Sequence, residues 1–498
     1  MFKKILIANR GEIAIRIAKA CHQLGIPTVG VYSEPDRKGK HIQFTDEAYL
    51  IGPAAPTESY LNIDMIVQTA KDAGCDAVHP GYGFLAENAA FAGRCEKEGL
   101  TFIGPKAETI SLLGSKIEAR RLVQDAGAPV IPGAEFGEDD FESCRKSAKL
   151  IGYPVLIKAS AGGGGKGMRV VEKEEDLEEA VESASREARS AFGDGTVYIE
   201  KYLKKPRHVE IQILADSTGD CVYLFERECS IQRRHQKIIE ETPSPALDPE
   251  LRQRMGTAAV KIAQAAKYVN AGTVEFLLDE DKNFYFLEVN TRIQVEHPIT
   301  EMVTGVDLVA RQIEIADGNK LPFKQEELTQ RGHSVECRIY AEDPENNFFP
   351  ASGKILLCAE PEGPGIRNDS GIYNGYEVTV HYDPILSKLV TFGENREQAL
   401  DRMAIALREY VVLGIRNNIR FLYDVINHEE FRKGNTDTGF LERHFPEYTA
   451  PDGNSSRLEI AIAAAMHHES RKTTRTGSTV TATEQPTPWQ TLGAFRML

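Results

Sequence analysis

No run of apolar residues in the 498-residue sequence approaches the ~20 that a membrane-spanning helix needs. Positive charge is not in excess either: 59 Lys and Arg against 74 Asp and Glu leave a formal net charge of −15. That balance argues against a nucleic-acid or anionic-membrane partner, though not against a local basic pocket for a phosphate. The eight cysteines (Cys21, Cys75, Cys95, Cys144, Cys221, Cys229, Cys337 and Cys358) contain no Cys-x-x-Cys pair. Reduced thiols in a cytoplasmic protein are expected, rather than disulfides or a zinc site. The start, MFKKILIANRGEIAIRI, is basic then apolar, but Asn9, Arg10, Gly11 and Glu12 interrupt it and no small-residue cleavage site follows. It does not read as a signal peptide. ANRGEIA lacks the full GxGxxG spacing, so a tight turn is the better reading of Gly11 than a dinucleotide site. A complete GxxxxGK[ST] phosphate loop is also missing. The single tryptophan lies in the terminal PWQTLGAFRML.

What is present fits a soluble globular protein of two to four domains, 41% hydrophobic and 27% charged. Residues 1–114 alternate strand and helix, which predicts a doubly wound parallel sheet. KKILIA, PTVGVYS, DAVHPG and LTFIGP supply strands. Glu12–Leu24, Ile63–Ala73 and Asn88–Glu98 supply helices. HPGYGFLAEN (His79–Asn88) is a glycine-rich loop after a strand, where such sheets place ligands. From about 115 the character changes. A helix starts at Ser115, Lys116 and Glu118, and YPVLIKAS carries Lys158 near the end of a strand. AGGGGKGM (Ala161–Met168) follows, and four successive glycines weaken structure unless backbone must approach a ligand. A mobile phosphate cover reads better than an idle hairpin tip. ERECSIQRRHQK gathers Arg227, Arg233, Arg234, His235 and Lys237 and suggests a bound phosphate, or else a solvated basic hairpin. Residues 331–446 read as a third, α+β domain, with Arg338 sharing a strand face with Glu336 and Tyr340. Residues 447–498 read as a flexible tail whose apolar end docks on a partner or tucks back onto its own domain.

The most informative stretch is Thr273–Glu301. Two strand-like runs, Thr273–Leu278 and Phe284–Val289, flank the polar turn from Glu280 to Asn283. Pairing them sets Glu275 opposite Glu288. Two facing carboxylates weaken a hairpin unless a cation lies between them. With period 2, Glu288, Asn290, Arg292, Gln294 and Glu296 share a face for as long as the chain stays extended. Acids and an amide at one end suit a hard cation; the arginine beyond them suits an anion. A solvated, charge-alternating strand face is the plainer alternative.

Taken in order, ANRGEIA, HPGYGFLAEN, SKIEAR, KASAGGGGKGM, EKYLKKPRHVEIQ, ERECSIQRRHQK, EFLL, FLEVNTRIQVEHPITE, VECRIYAEDP and YDPILSKL closely resemble the biotin carboxylase family of ATP-grasp enzymes. The resemblance runs from Met1 to about Pro446. It implies a doubly wound N-terminal domain (1–114), an ATP-grasp domain (115–330) with a mobile lid at about 131–203, and an α+β C-terminal domain (331–446). It places ATP phosphates at Lys116, Lys158, Gly164 and Gly165, and adenine at Glu200, Lys201, Tyr202 and Leu203. His208 and His235 would stand near the ribose and phosphates, and Gln232 is a further cofactor-binding residue. Glu275, Glu288 and Asn290 match ligands of Mg2+ or Mn2+, with two ions expected. Lys237, Arg292, Gln294 and the Val295 backbone match a bicarbonate pocket. Glu296 looks like its general base, and Arg338 like the group that stabilises the biotin enolate. The implied reaction carboxylates biotin at the expense of ATP, through carboxyphosphate.

AAMHHES lacks the lysine of an AMKM-type biotinylation site. The biotin is therefore expected on a separate biotin carboxyl carrier protein, with carboxyl transfer by a separate carboxyltransferase subunit. The compatible systems are acetyl-CoA, propionyl-CoA and pyruvate carboxylases. The family also implies a homodimer. A carbamoyl-phosphate-type ligase is one alternative, and a non-catalytic assembly subunit is the other. The domain carrying Arg338 argues against the first, and the intact charged set against the second.

Overall fold

The computed structural model describes residues 1–136, 140–159, 169–192, 195–234 and 236–450. Met1–Tyr448 forms one compact unit and Thr449–Leu498 a second. The expected partner-docking segment at the C-terminus lies outside the described residues, as do Gly164, Gly165 and His235.

The N-terminal sheet has five parallel strands in the spatial order Glu47–Gly52, Thr28–Ser33, Ile5–Ile7, Ala77–His79 and Thr101–Phe102. Ile5, Leu6 and Ile7 are fully buried, because helices cover both faces of a parallel sheet and leave no side for polar residues. The helices Gly11–Gln23, Ile63–Asp72 and Ala89–Lys97 follow the strands as the sequence pattern predicts. Asn62 and Asn88 cap two of them, each accepting a backbone N–H three residues on. Gly11 has φ +66° and serves the tight strand-to-helix turn. The strand Glu47–Gly52 was not anticipated. It lies at the sheet edge, and Tyr49 and Leu50 are exposed.

A four-stranded antiparallel sheet of Gly133–Phe136, Val197–Lys201, Val155–Ala159 and Arg169–Val171 packs with helices Phe141–Ile151 and Leu177–Phe192. It occupies the stretch expected to be the lid.

The site is built on an eight-stranded antiparallel sheet. Its order is Phe284–Asn290, Asn270–Leu278, Arg207–Ala215, Cys221–Arg233, Gln236–Thr242, His333–Tyr340, Ile385–Gly393 and Ile366–Ser370. Three strands of the C-terminal α+β region thus extend the central sheet, while its shorter strands pair into two-stranded sheets of their own. The join is the pairing of Glu240 with Glu336 and of Ile239 with Cys337, close to a hundred residues apart. In Arg207–Ala215, alternate residues face opposite ways. Val209, Ile211 and Ile213 pack in the core with Met255, Ala259 and Ile262 of helix Pro249–Ala265. His208, Glu210 and Gln212 are turned to the other face and are also buried. Apolar packing on one face therefore presents a row of polar side chains on the other. No helix among the described residues is long and apolar enough to cross a membrane.

Candidate active site

The hairpin pairs as its alternation predicts, with Glu275 directly opposite Glu288. On its other side Glu275 is opposite Glu210, so three carboxylates form one cross-strand row. The cation among them is Lys237, from the strand Gln236–Thr242. Its Nζ lies 2.6 Å from Glu210 Oε2, 2.7 Å from Glu275 Oε1 and 2.8 Å from Glu296 Oε1. One ammonium uses its three donors on three acids. Glu275 is also bonded by Asn290 Nδ2 and Gln294 Nε2, each at 2.8 Å, and pairs with His208 Nε2 at 3.0 Å. Burial would raise the Glu275 carboxyl, but Lys237 and then His208 hold it well below the usual range. Glu288 stands at the exposed end of the row. Two carboxylates and an amide oxygen fit a hard divalent cation. Glu275, Glu288 and Asn290 could hold one, and His208, Glu210 and Glu275 also converge closely enough to do so.

The strand ends at Asn290, and the chain then runs irregularly to helix His297–Thr304. Strict alternation is lost there, yet the side chains still converge. Arg292 donates from Nε to Glu87 (2.7 Å) and from NH2 to Asn290 Oδ1 (2.9 Å). Glu87 belongs to the glycine-rich loop after Ala77–His79. Gln294 is buried and its Oε1 accepts from Arg227 at 2.7 Å. Glu296 is suspended between two cations: Oε1 on Lys237, and Oε2 on Arg338 NH2 at 3.0 Å. Burial would raise its carboxyl, but Lys237 first, then Arg338 and Arg227, hold it far below the usual carboxylate range. Arg338 also donates from Nε to Glu240 at 2.6 Å. Sheet continuity is what carries Arg338 to this point.

The expected nucleotide residues among the described ones are spread over several elements. Lys116 opens helix Lys116–Asp125 and is exposed; Ser115 caps that helix. Lys158 pairs with the buried Glu200 across adjacent strands of the small sheet. Lys201 donates to the Gly152 carbonyl at 2.8 Å. The Tyr202 backbone N–H is bonded to Pro154 O at 3.2 Å, just past the end of the strand Val197–Lys201. Gln232 bonds His208 Nδ1 at 2.8 Å, so this pair adjoins Glu275.

The basic segment around Arg227 is not a phosphate cluster among its described residues. Arg227 is fully buried and donates to Glu210 (2.5 Å), Gln212 (2.7 Å), Gln294 (2.7 Å), Thr300 (3.0 Å) and Thr273 (3.1 Å). Arg233 reaches Glu342 at 3.2 Å and lies over the Phe348 ring, and Arg234 reaches Asn347. Of the described members, Lys237 joins the carboxylate row at Glu210 and Glu275, and Arg227 reaches it at Glu210 alone. A planar guanidinium surrounded by acceptors orients the site from beneath. Sequence reasoning missed Glu210 and Glu240. A positional signal existed for Glu210, which alternates with His208 along its strand, whereas Glu240 is brought to the site only by the long-range pairing with Glu336. Glu87 and Lys388 gave no signal beyond lying inside shared motifs.

Comparison with known proteins agrees with this geometry. Three family models match in order: "Biotin carboxylase, N-terminal domain" over residues 1–110, "Carbamoyl-phosphate synthase L chain, ATP binding domain" over 115–324, and "Biotin carboxylase C-terminal domain" over 336–443. The chain is similar to a pyruvate carboxylase subunit of Methanothermobacter thermautotrophicus, at 54% identity over 89% of this chain and 90% of that one. It is 52% identical to biotin carboxylase 1 of Bacillus subtilis, over 89% of this chain and 99% of that one. Among solved structures, the biotin carboxylase domain dimer of Hydrogenobacter thermophilus 2-oxoglutarate carboxylase, in complex with MgADP, ADP and bicarbonate, matches with a TM-score of 0.84. That match is 47% identical over 91% of this chain and all of the other. On this evidence the chain belongs to the biotin carboxylase family of ATP-grasp enzymes.

Proposed function

We propose that this chain uses ATP to carboxylate biotin with bicarbonate, as the first half-reaction of a biotin-dependent carboxylase. The relatives' names include pyruvate carboxylase, 2-oxoglutarate carboxylase and biotin carboxylase itself, and biotin carboxylation is the step common to them. The observation that carries the reading is Glu296 held between Lys237 and Arg338. One carboxylate there lies within reach of an anion at Lys237 and an acceptor at Arg338.

Bicarbonate is a poor carboxyl donor and needs phosphorylation. Arg292, Lys237, Gln294 and the Val295 N–H would bind it, and Glu296 would take its proton as it attacks the γ-phosphate. Phosphoryl transfer depends chiefly on positioning and charge neutralisation. Lys116, Lys158 and the glycine loop with Gly164 and Gly165 would supply these on the nucleotide side. Glu200 to Leu203 would line the adenine, with His208 and His235 toward the ribose and phosphates and Gln232 as a further cofactor-binding residue. Glu275, Glu288 and Asn290 would hold Mg2+ or Mn2+, whose charge offsets that of the phosphates. Carboxyphosphate then releases CO2 and phosphate, and phosphate accepts the proton from biotin N1′. Arg338 would stabilise the negative charge developing on the ureido oxygen. A closing lid excludes the water that would hydrolyse the intermediate. The biotin would be presented by a separate carrier protein, and the carboxyl group passed on by a carboxyltransferase, in the cytoplasm, with this chain as a homodimer.

The test is ATP cleavage by the purified chain with bicarbonate and Mg2+, with and without free biotin. Bicarbonate-dependent ADP release stimulated by biotin supports the proposal. Release that needs an amine donor instead, or no release at all, refutes it.

A further inference from the structure

Lys388 is a fully buried lysine that the reaction as described does not use. It lies on the strand Ile385–Gly393, directly opposite Arg338 on one side and Asp369 on the other. Its Nζ donates to the Val295 carbonyl at 2.9 Å and lies 3.2 Å from Glu12 Oε2 and 4.0 Å from Asp369 Oδ2. The Tyr82 ring is 5.7 Å from the same ammonium, and the Tyr82 hydroxyl donates to Glu12. Asn9 in turn fixes the Tyr82 backbone, donating from Nδ2 to its carbonyl at 2.8 Å. Three stretches far apart in sequence, ANRGEIA, HPGYG and YDPILSKL, thus meet on one ammonium.

A buried ammonium must be paired to be tolerated. Glu12 stands close to it and Asp369, which also binds Arg367, stands farther off; the third partner is a carbonyl, which carries no charge. That carbonyl belongs to the peptide joining Val295 to Glu296. The segment from Thr291 to Glu296 has no strand ladder to hold it, so anchors from outside must set its path. Glu87 accepts from the Thr291 N–H at 3.0 Å near one end, and Lys388 holds Val295 near the other. Between the two anchors lie Arg292 and Gln294, and Glu296 comes immediately after.

We infer that Lys388 is a positioning residue for the anion pocket: it fixes the Val295–Glu296 peptide, and is itself fixed by Glu12 and Tyr82 of the N-terminal region. This inference rests on the proposed bicarbonate chemistry. It places the aim of Arg292, Gln294 and Glu296 under the control of residues in the N-terminal sheet domain. Misplacing reacting groups by about 1 Å lowers rates by up to about a hundredfold. The effect belongs to bicarbonate and not to the nucleotide, because none of the contacts of Lys388 named above is to an expected ATP residue.

The test uses the full chain and measures separate constants for bicarbonate and MgATP. Lys388→Met is expected to lower kcat/KM for bicarbonate by about ten- to a hundredfold, with the KM for MgATP changed less than about twofold. A double variant, Glu12→Gln with Lys388→Met, leaves neither charge buried alone and is read the same way should the single variant fail to fold. Lys388→Arg keeps the charge but not the point geometry of the ammonium, and is expected to recover only part of the loss. Unchanged bicarbonate kinetics in the folded variants overturns the inference, and so does a parallel rise of both KM values. The unmutated chain is the control for the underlying reading. If it shows no bicarbonate-dependent ATP cleavage, the proposed function itself fails. If it is active and the variants match it, only the role of Lys388 fails.

Discussion

Each oxygen of Glu296 is held by a different cation, and that governs what its removal does. Glu296→Ala is expected to lower bicarbonate-dependent ATP cleavage by about 10²- to 10⁴-fold, the usual range for a lost general base. A near-native rate would place the base elsewhere. Arg338→Ala leaves Glu240 and Glu296 without their shared guanidinium. It is expected to cut biotin carboxylation by at least about a hundredfold while MgADP still binds, which isothermal calorimetry would show. A second buried acid acts on stability. Glu241 accepts from His333 Nε2 at 2.8 Å and from Arg396 at 2.7 and 3.0 Å. Burial would raise its carboxyl, but those two partners bring it from the usual 4.5 down to about 2. The folded carboxylate is the stronger acid, so its contribution is complete above about pH 4.5 and is lost as the pH falls through about 2. Glu241→Gln is expected to lose roughly 3 kcal/mol at pH 7. In urea titrations its gap from the unmutated chain should narrow toward about pH 3; a gap independent of pH would refute this account.

At the scale of elements, the hairpin Asn270–Asn290 was readable because its information is contiguous. Period-2 alternation and a polar turn fixed the register that set Glu275 against Glu288. Helix Pro249–Ala265 carries its start signal locally, in Asp248, which caps it, and in proline at its first position. Arg227 was misread for the opposite reason. Local composition shows a basic cluster, whereas its five acceptors come from two strands, a helix and the irregular segment before that helix, up to 73 residues away. Gly272 is a further case of distant packing acting on one position. A glycine inside a strand ordinarily weakens it. Here a Cβ would come within 2.5 Å of the buried Tyr268 ring, whose hydroxyl bonds Ala271 O. Gly272→Ala is expected to lower stability by about 1–3 kcal/mol, checked by chemical denaturation, despite the better strand propensity of alanine. A neutral result would mean that Tyr268 moves aside freely.

At the scale of the molecule, one sheet runs from Phe284–Asn290 to Ile366–Ser370 and passes through both the carboxylate row and Arg338. The order of strands and helices along the chain was legible. The pairing of Gln236–Thr242 with His333–Tyr340 was not, since nothing local marks which distant strand a buried strand will meet. A chain ending at Arg331 would leave Gln236–Thr242 as an open edge, with Glu240 and Glu241 stripped of Arg338, His333 and Arg396. It is expected to aggregate, as size-exclusion chromatography would report. A monodisperse, cooperatively folded fragment would contradict the continuity argument.

The suspension of Glu296 also has a meaning in time. In the proposed reaction an anion drawing on Lys237 would release one oxygen of the carboxylate, and an acceptor drawing on Arg338 would release the other. The base would then strengthen in steps as its ligands arrive, first with the anion and further with the acceptor.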